Sequence, residues 1–573
     1  MEISRILKPV ILGAILGLLA LLTLACESAA PTPTPVQPAQ PALPVAPTAI
    51  PQATATLAPG APAPTAAVAT PTRVLPTPTV VATDKITYGG ALKFAIDRDG
   101  DNLDPNFSNE TGFQATLYAV FNNMVQLAGD NSVQPDIARS WEVSPDGKIV
   151  TFKLVTGMKF QDGTLLDAKA VKWNFDRFLD KNSGSTRLSQ LSPPLQRVEV
   201  VDDSRVAFYM SEPFRPLLAT LTERAGMIAS PAAVTKANSY ANRNGDFGKK
   251  PVGSGPYKLD EWIPGSHMKM SRFADYWDKN KQYLDSIWSP MISDLQVIFA
   301  MVRTGELDGM ERVRPEDIPI IKRNPNLSLV EYKGTRYRGF EFRISKKPWD
   351  NKALRQAFSY ALDRDTLVRV GFDNVATPAF TILGPAYGVW YDPTLKPLPY
   401  NVQKAKEKLS EAGYPNGFTF DFLCTGTSSE IQWCEQTQAV LAGAGINAKI
   451  IPLESRTYFT RFVNREIDMV YTGRSPRAEP HITLQRIYHS KGFSNIHDYS
   501  NPEVDKLIDQ ATGTYDVAKA KELYKQVLTI TTEDAPIIFV LFETALYTFD
   551  TDVRNFQPRI DGVPRFRDIW LFK

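Results

Sequence analysis

The sequence predicts a mixed α/β protein built from more than one folding unit. Segments with the alternating pattern of β-strands and segments with the spacing of amphipathic helices follow one another after about residue 87. Residues 417–423, 429–444 and 447–451 have the patterns of a strand, a helix and a strand, an order that indicates a crossover unit of the α/β class. The 573 residues, of which 43% are hydrophobic, are too many for a single core and suggest about three units.

Turn and capping residues mark the first elements. Residues 91–97, ALKFAID, alternate as a strand, and residues 141–163 have the pattern of a hairpin whose turn contains Asp146 and Gly147. The segment DAKAVKWNFDRFLD is predicted to form a helix that begins at Asp167, because an aspartate can cap the free N–H groups of a first helical turn. Strands and helices are therefore mixed from the start of the folded region.

Three further helices are predicted in the second half of the chain. They cover residues 351–369, residues 401–412, which are followed by Gly413, and residues 517–533. Their apolar residues recur every three or four positions, so each helix has one face to bury.

The balance of charge excludes a nucleic-acid-binding protein. The chain has 64 basic and 62 acidic side chains and a net charge of +2, whereas nucleic-acid binding normally requires a clustered excess of Lys and Arg. The 3 cysteines are too few for a disulfide-rich scaffold or a four-thiolate zinc site. No nucleic-acid partner is expected.

The N-terminus has the composition of an export signal. Arg5 and Lys8 precede roughly 17 apolar residues that end at Cys26, the order of charge and apolar run in a secretory signal peptide. The pair Ala25-Cys26 resembles the cleavage box of bacterial lipoproteins. That resemblance implies a signal peptide at 1–25 and a lipid anchor on Cys26, with a permanent transmembrane anchor as the alternative.

A linker follows this cysteine. Residues 26–86 contain 14 of the 44 prolines, together with many alanines and threonines. Such a segment cannot bury enough apolar surface to fold, so we expect it to be disordered and to hold the folded region away from the membrane.

The other two cysteines remain as a pair once Cys26 is assigned to the lipid. An even number of cysteines in an exported protein favours disulfide pairing, and we expect a disulfide between Cys424 and Cys434. Two buried free thiols are the alternative.

A series of short motifs runs in order from about residue 87 to residue 545. The motifs are GG with LDP, PDIARSWEVSPDGKIVTFKL, MKFQDGTLLDAKAVKWNFDR, PVGSGPYKLDEWIPG, DYW with YLD, GELD, LRQAFSYALDRDTLV, AGYP and NPEVDKLIDQA. One such motif alone is weak evidence, but the ordered series is highly specific. In these motifs the chain resembles the family 5 extracytoplasmic solute-binding proteins, the peptide and nickel receptors of ABC importers.

The resemblance implies a two-lobed periplasmic-binding-protein type II fold with an extra α+β domain, in which the lobes close on a ligand by a hinge. Mapped by motif, lobe I is discontinuous and comprises 87–122, 248–336 and 535–573. The extra domain comprises 123–247 and lobe II comprises 337–534.

The resemblance also implies a receptor without enzymatic activity or cofactor. It would capture a peptide-like solute, a small molecule or an oligopeptide, and deliver it to the permease and ATPase subunits of an ABC importer. We expect a monomer, anchored by its lipid to the outer face of the cytoplasmic membrane.

The alternatives to this function are a receptor for nickel, a metal chelate or another small solute, and an extracytoplasmic sensor or hydrolase. For a hydrolase, the sequence lacks the Gly-x-Ser-x-Gly and His-Glu-x-x-His motifs.

Ligand specificity is expected in the segment IDMVYTGRSPRAEPHITLQ. In peptide-binding members of the family, the matching strand ends in a Gly-Trp pair, and an aspartate in the following loop holds the α-amine of the peptide. Here Tyr471 has the aromatic position, Arg474 and Arg477 lie where an aspartate is expected, and Glu479 replaces a later aspartate. Because arginine binds carboxylate or phosphate groups through paired hydrogen bonds, we hypothesise a ligand with an anionic group. The alternative is that both arginines are solvated or pair with Glu479.

Nearby histidines and aromatic residues are further candidates. His481, a candidate ligand contact, is followed by His489 and His497. Their eight-residue spacing does not place two imidazoles on one helical face, so no metal site is expected. Tyr387 and Trp390 lie in a Gly- and Pro-rich segment that runs near the cleft in this family. They are candidate ligand contacts, and the alternative is that they only pack this segment down.

Overall fold

The computed structural model describes residues 85–572, except 97–99, 109–111, 192–193, 372–373, 397, 427, 475–478 and 493. The predicted signal peptide, Cys26, nearly all of the predicted linker and Arg477 therefore lie outside the described residues. Within the described part of the chain, no helix is long and apolar enough to cross a membrane.

Strands and helices alternate along the described chain. The strands are Ala91–Lys93 (β1), Val125–Leu127 (β2), Val133–Pro135 (β3), Ala138–Val143 (β4), Ile149–Leu154 (β5), Leu195–Asp202 (β6), Arg205–Met210 (β7), Tyr257–Ile263 (β8), His267–Arg272 (β9), Ser286–Pro290 (β10), Gly309–Glu311 (β11), Leu327–Phe342 (β12), Ala376–Pro378 (β13), Phe418–Thr425 (β14), Ile446–Leu453 (β15), Met469–Arg474 (β16), Ile537–Asp550 (β17), Val553–Arg554 (β18) and Trp570–Leu571 (β19). The α-helices are Gln114–Val120 (α1), Ala168–Leu179 (α2), Leu188–Leu191 (α3), Leu217–Thr220 (α4), Pro231–Lys236 (α5), Leu295–Thr304 (α6), Ile318–Arg323 (α7), Lys352–Ala361 (α8), Arg364–Gly371 (α9), Val402–Glu411 (α10), Ser428–Ala442 (α11), Ser455–Val463 (α12), Pro480–Tyr488 (α13), Pro502–Thr512 (α14) and Val517–Asp534 (α15).

Two long antiparallel strands, β12 and β17, run through the centre of the molecule. They belong to a sheet with the order β11-β17-β12-β16, in which β13 also pairs with β17. Strand β11 pairs with the last residues of β17, whereas β16 pairs with the last residues of β12. The register of β12 against β17 shifts between Lys333 and Tyr337. The two strands therefore run from one half of the molecule to the other, and the register shift lies where they pass between the two halves.

The predicted lobe I and the predicted extra domain each contain a four-stranded sheet. Their strand orders are β1-β10-β9-β8 and β4-β5-β7-β6. A buried ion pair joins these two parts, because Arg177 in α2 donates to both carboxylate oxygens of Asp104 at 2.6 and 3.1 Å. Both side chains are only 1% exposed. This joint fixes the extra domain to lobe I.

In the predicted lobe II, apolar clusters cover both faces of the central sheet. Phe340 and Phe358 belong to the cluster on one face, and Tyr337 and Tyr524 to the cluster on the other. Strands β14 and β15 are parallel neighbours connected by α11, which confirms the predicted crossover unit.

The disulfide lies in this crossover unit. Cys424 in β14 and Cys434 in α11 are bonded to each other, and both residues are buried. The bond ties the helix to the strand that precedes it.

Part of β17 packs in lobe II, although the predicted boundary assigns it to lobe I. Ile538, Val540 and Leu541 belong to the same apolar cluster as Phe340. Since β17 pairs with β11 only from Tyr547 onward, its crossing between the lobes lies after these residues rather than at residue 535.

Most predicted elements are confirmed, and one is wrong. The Asp-Gly turn joins β4 and β5, and the Asp167 side chain accepts a hydrogen bond from the Ala170 N–H at 2.9 Å at the start of α2. The predicted helix at 351–369 is two helices, α8 and α9. Leu362 is extended, and the Asp363 side chain accepts the N–H of Thr366 at 3.0 Å, which caps a new helix.

Candidate functional site

The register shift in the central sheet carries a cluster of charged side chains. Arg336 and Arg338 lie on β12 at the register shift, Glu543 lies opposite them on β17, and Glu430 lies in the first turn of α11. Arg312 follows β11 and is within electrostatic range of the other four. We call these five residues the hinge charge cluster. With three arginines and two glutamates, its formal charge is +1.

Arg338 holds the hinge charge cluster together. Its Nη1 and Nη2 donate to the two carboxylate oxygens of Glu430 at 2.7 and 2.9 Å, and its Nε donates to Glu543 Oε1 at 2.6 Å. The Arg336 Nε is 3.1 Å from the other oxygen of Glu543. Burial raises the pKa of Glu543, but Arg336 and Arg338 outweigh that effect and hold it below its usual value. The Glu543 carboxylate is therefore ionised at neutral pH.

Arg336 is the more open of the two strand arginines. Its side chain is 44% exposed, against 10% for Arg338. A Cβ at Gly473 would lie 2.6 Å from the Arg336 Nη2, which is closer than atoms pack. The guanidinium thus reaches this part of β16 only because residue 473 is a glycine.

Tyr471 and Arg474, predicted to act together, lie on opposite faces of β16. Side chains alternate along a strand, so positions three apart point to different sides. Tyr471 is buried against Phe340, with ring centroids 4.8 Å apart. Arg474 lies on the other face, where its Nη1 donates to Glu341 Oε2 at 2.8 Å. Its charge is therefore balanced inside lobe II, and Arg477 lies outside the described residues.

Glu479 and His481 are buried beside an arginine of the extra domain. Arg215 donates from Nη2 to Glu479 Oε1 at 2.7 Å. Burial raises the pKa of Glu479 and Arg215 partly offsets this rise. His481 is close to Thr512, with 3.0 Å between Nε2 and Oγ1. Burial, followed by the charge of Arg215, lowers the pKa of His481 to about 3, so its imidazole is neutral.

Tyr387 and Trp390 pack against the helices of lobe II. The Tyr387 hydroxyl lies 3.2 Å from Thr483 Oγ1, and Tyr387 is buried. The Trp390 ring meets the Tyr524 ring edge to face, with centroids 5.6 Å apart. The structure therefore brings Tyr387, Trp390, Glu479 and His481 into one region, away from Tyr471.

The three neighbouring histidines have separate surroundings. His481 lies beside Thr512, the Nε2 of His489 is 3.4 Å from Asp509 Oδ1, and the Nε2 of His497 is 3.8 Å from Glu341 Oε2. Across the described ranges, no group of three or more His, Cys, Asp or Glu side chains is placed to hold a metal ion.

Comparison with known proteins identifies the family. The family model described as "Bacterial extracellular solute-binding proteins, family 5 Middle" matches residues 132–495. The glutathione-binding protein GsiB of Shigella flexneri serotype 5b (strain 8401) is 32% identical over 486 residues, which are 83% of this chain and 93% of GsiB. This chain belongs to solute-binding protein family 5. The two-lobed fold and the role of substrate-binding receptor of an ABC importer, both implied by the sequence motifs, are confirmed.

Two solved structures extend the comparison. The ABC transporter-associated periplasmic binding protein DppA of Helicobacter pylori, in complex with the peptide STSA, has a TM-score of 0.76 at 26% identity, covering 85% of this chain and 99% of DppA. The binding protein AgaA of A. tumefaciens R10, in complex with agropinic acid, has a TM-score of 0.73 at 25% identity, covering 84% of this chain and 99% of AgaA. The relatives are binding proteins of an extracytoplasmic class.

Several candidate residues in this family 5 receptor have partners that lie far away in the sequence. Glu341 is 133 positions from Arg474, and Arg215 is 264 positions from Glu479. No local pattern reveals pairs so far apart. Arg336 and Arg338 are also hard to single out, because β12 carries the charged residues Glu331 and Lys333 as well.

Proposed function

We propose that this receptor captures a peptide-like solute bearing a carboxylate or a similar anionic group, and that Arg336 contacts that group. The observation that carries the proposal is the placement of Arg336. Its side chain is 44% exposed at the junction of the two lobes, and among the described residues its only ion-pair partner is Glu543. Arginine is suited to bind a carboxylate through two hydrogen bonds.

The ligands named for relatives bear on the same question. Relatives named for glutathione and solved with agropinic acid support this ligand class. The peptide STSA in the DppA complex supports a peptide-like solute.

Arg336 replaces Arg474 as the main candidate for the anionic group. The Arg474 guanidinium is bonded to Glu341, which is fully buried. Arg477 lies outside the described residues, and its role stays a prediction that Arg477→Ala tests directly.

Isothermal titration with two related probes tests the ligand class. Reduced glutathione carries two carboxylates, and its diethyl ester carries none. We expect Arg336→Gln to weaken binding of reduced glutathione about tenfold to hundredfold, because a hydrogen bond to a charged group is lost. Binding of the ester should change little. The control is Arg197→Gln, which removes an arginine that is 52% exposed in the extra domain. Unchanged affinity for reduced glutathione in Arg336→Gln would refute the assignment.

If reduced glutathione does not bind the wild-type receptor, native mass spectrometry of the purified protein identifies the solute that co-purifies. A co-purified solute with an acidic group supports the proposed class. A neutral sugar or a bare metal ion in that experiment contradicts it.

The attachment of the receptor is also a proposal. We propose that it is a lipoprotein held to the membrane through Cys26, that residues 26–86 act as its tether, and that it acts as a monomer without enzymatic activity. The export signal and the proline-rich composition support this proposal. The variant Cys26→Ser should move the protein from the membrane fraction to the soluble extracytoplasmic fraction.

A further inference from the structure

The extra domain contacts lobe II through an arginine. Arg215 follows β7, and its Nη2 donates to Glu479 Oε1 at 2.7 Å and to the Tyr524 hydroxyl at 2.6 Å. Its backbone N–H donates to the Thr512 carbonyl at 3.1 Å. The side chain of Arg215 thus binds residues at the start of α13 and in the middle of α15, and its backbone binds the end of α14.

The contact is largely shielded from water. The Arg215 side chain is 14% exposed and that of Glu479 is 6% exposed. The Arg215 guanidinium lies 5.0 Å from the centre of the Trp390 ring. Because the local dielectric is low in such surroundings, the attraction between the two charges is stronger than in a surface pair.

Glu479 is held in position by its own helix. Its second carboxylate oxygen accepts the N–H of Ile482 at 3.1 Å and caps α13. One oxygen therefore fixes the side chain and leaves the other for Arg215, so little side-chain freedom is lost when the pair forms.

This contact differs from the joint between the extra domain and lobe I. The apolar cluster of the extra domain extends to Val252 and includes, within the described ranges, no residue of lobe II. Lobe I, in contrast, is joined to the extra domain by the buried pair of Asp104 and Arg177. The main core of the extra domain is therefore separate from lobe II. Parting of the two breaks, besides the Arg215 pair, the packing of Leu127 in the lobe II cluster and the hydrogen bond from the Tyr515 hydroxyl to the Gly147 carbonyl.

We propose that Arg215 and Glu479 form a latch that stabilises the arrangement in which lobe II rests against the extra domain. Opening of the receptor at the register shift in β12 and β17 requires this pair to part. The latch goes beyond the proposed ligand and sets the balance between open and closed receptor before any solute binds. A ligand then shifts an equilibrium that the latch has already biased.

Spin labels on the two sides of the contact test the latch in the ligand-free protein. Glu142 in the extra domain and Glu522 on α15 are exposed, and each is replaced by cysteine in a Cys26→Ser background. Double electron–electron resonance then gives the distribution of distances between the labels. Since no ligand is added, a failure of the latch leaves the proposed ligand class untouched.

We expect Arg215→Met and Glu479→Gln each to increase the ratio of long to short label distances about tenfold, the size typical of conformational coupling. The double variant should show no greater effect than the larger single change, because both changes remove the same pair. Arg197→Met is the matched control, as its partner Glu199 lies in the same domain, with 2.7 Å between Nε and Oε1.

A distance distribution that is unchanged in both latch variants would overturn the proposal, and so would an equal shift in Arg197→Met. If Arg215→Met folds poorly, Arg215→Lys keeps the charge but loses one of the two Nη2 hydrogen bonds and should give a smaller shift in the same direction. The proposal would also be overturned if Arg215→Lys had the wild-type distribution of label distances while the effects of Arg215→Met and Glu479→Gln were additive.

Discussion

Arg474 and Glu341 form an ion pair inside lobe II, with 2.8 Å between Nη1 and Oε2. Glu341 has no exposed surface, and the hydroxyl of Tyr337 donates to its other oxygen at 2.9 Å. We predict that Arg474→Ala lowers the free energy of unfolding by about 3–5 kcal/mol, because it leaves a buried carboxylate without its counter-charge. Urea denaturation of the purified protein measures this change.

The control for Arg474→Ala is Arg461→Ala. Arg461 is 39% exposed and lies 3.8 Å from Glu466, so its removal should cost less than about 1 kcal/mol. If Arg474→Ala instead keeps wild-type stability and loses affinity for reduced glutathione, Arg474 belongs to the ligand site, as the sequence first indicated.

Two buried histidines should make the receptor less stable in mild acid. Burial lowers the pKa of His481 to about 3 and that of His497 to about 4, from an ordinary value of 6.5. The unfolded chain therefore takes up protons that the folded protein does not. The full free energy of unfolding is therefore present above about pH 6.5. As the pH falls from there toward the folded pKa of each histidine, that histidine lowers the free energy of unfolding by up to about 1.4 kcal/mol per pH unit.

The variant His481→Gln tests this dependence. We expect the slope of unfolding free energy against pH between 6 and 4 to decrease by about 1.4 kcal/mol per unit, whatever the stability at pH 7. The variant His267→Gln, on the partly exposed strand β9, is the comparison. A slope in His481→Gln equal to that of the wild type would show that His481 takes up a proton in the folded protein as readily as in the unfolded chain.

The sequence could predict elements whose determinants are local. Asp167 begins a helix because its own side chain caps the backbone three residues later, and the family motifs identify the two-lobed fold. The break after α8 is not predicted, because Asp363 lies within a continuous amphipathic pattern. The pairing of Arg474 with Glu341 is not predicted either, because Glu341 lies on another strand, 133 positions away. The alternation of side chains along β16 does argue against a shared site. Tyr471 and Arg474 are three positions apart and therefore cannot lie on the same face of the strand.

Removal of the disulfide should have a moderate effect. Cys424 and Cys434 are separated by 10 positions, and closing a loop of that length restricts the unfolded chain by about 2–3 kcal/mol. We predict that the double variant Cys424→Ser/Cys434→Ser loses about that amount of unfolding free energy and still folds, because Phe420, Phe422 and Leu441 also pack in this unit. Unfolding in urea under non-reducing conditions gives the value, and a loss below about 0.5 kcal/mol would show that the unfolded loop is already restricted.

Gly473 should control ligand affinity without contributing much to stability. A Cβ at this position would lie 2.6 Å from the Arg336 Nη2, so Gly473→Ala must displace the guanidinium. The displaced group is the flexible end of a half-exposed side chain, and the unfolding free energy should therefore change by no more than about 1 kcal/mol. We expect the affinity for reduced glutathione to fall about tenfold in isothermal titration, because a hydrogen bond to a charged group is lost.

Gly443→Ala is the control, because the nearest atom to its Cβ would be the Val440 carbonyl oxygen at 3.5 Å. Wild-type affinity in Gly473→Ala would mean that Arg336 does not need its present position to bind the ligand, and its assignment to the anionic group would then fail even though the family and the fold remain.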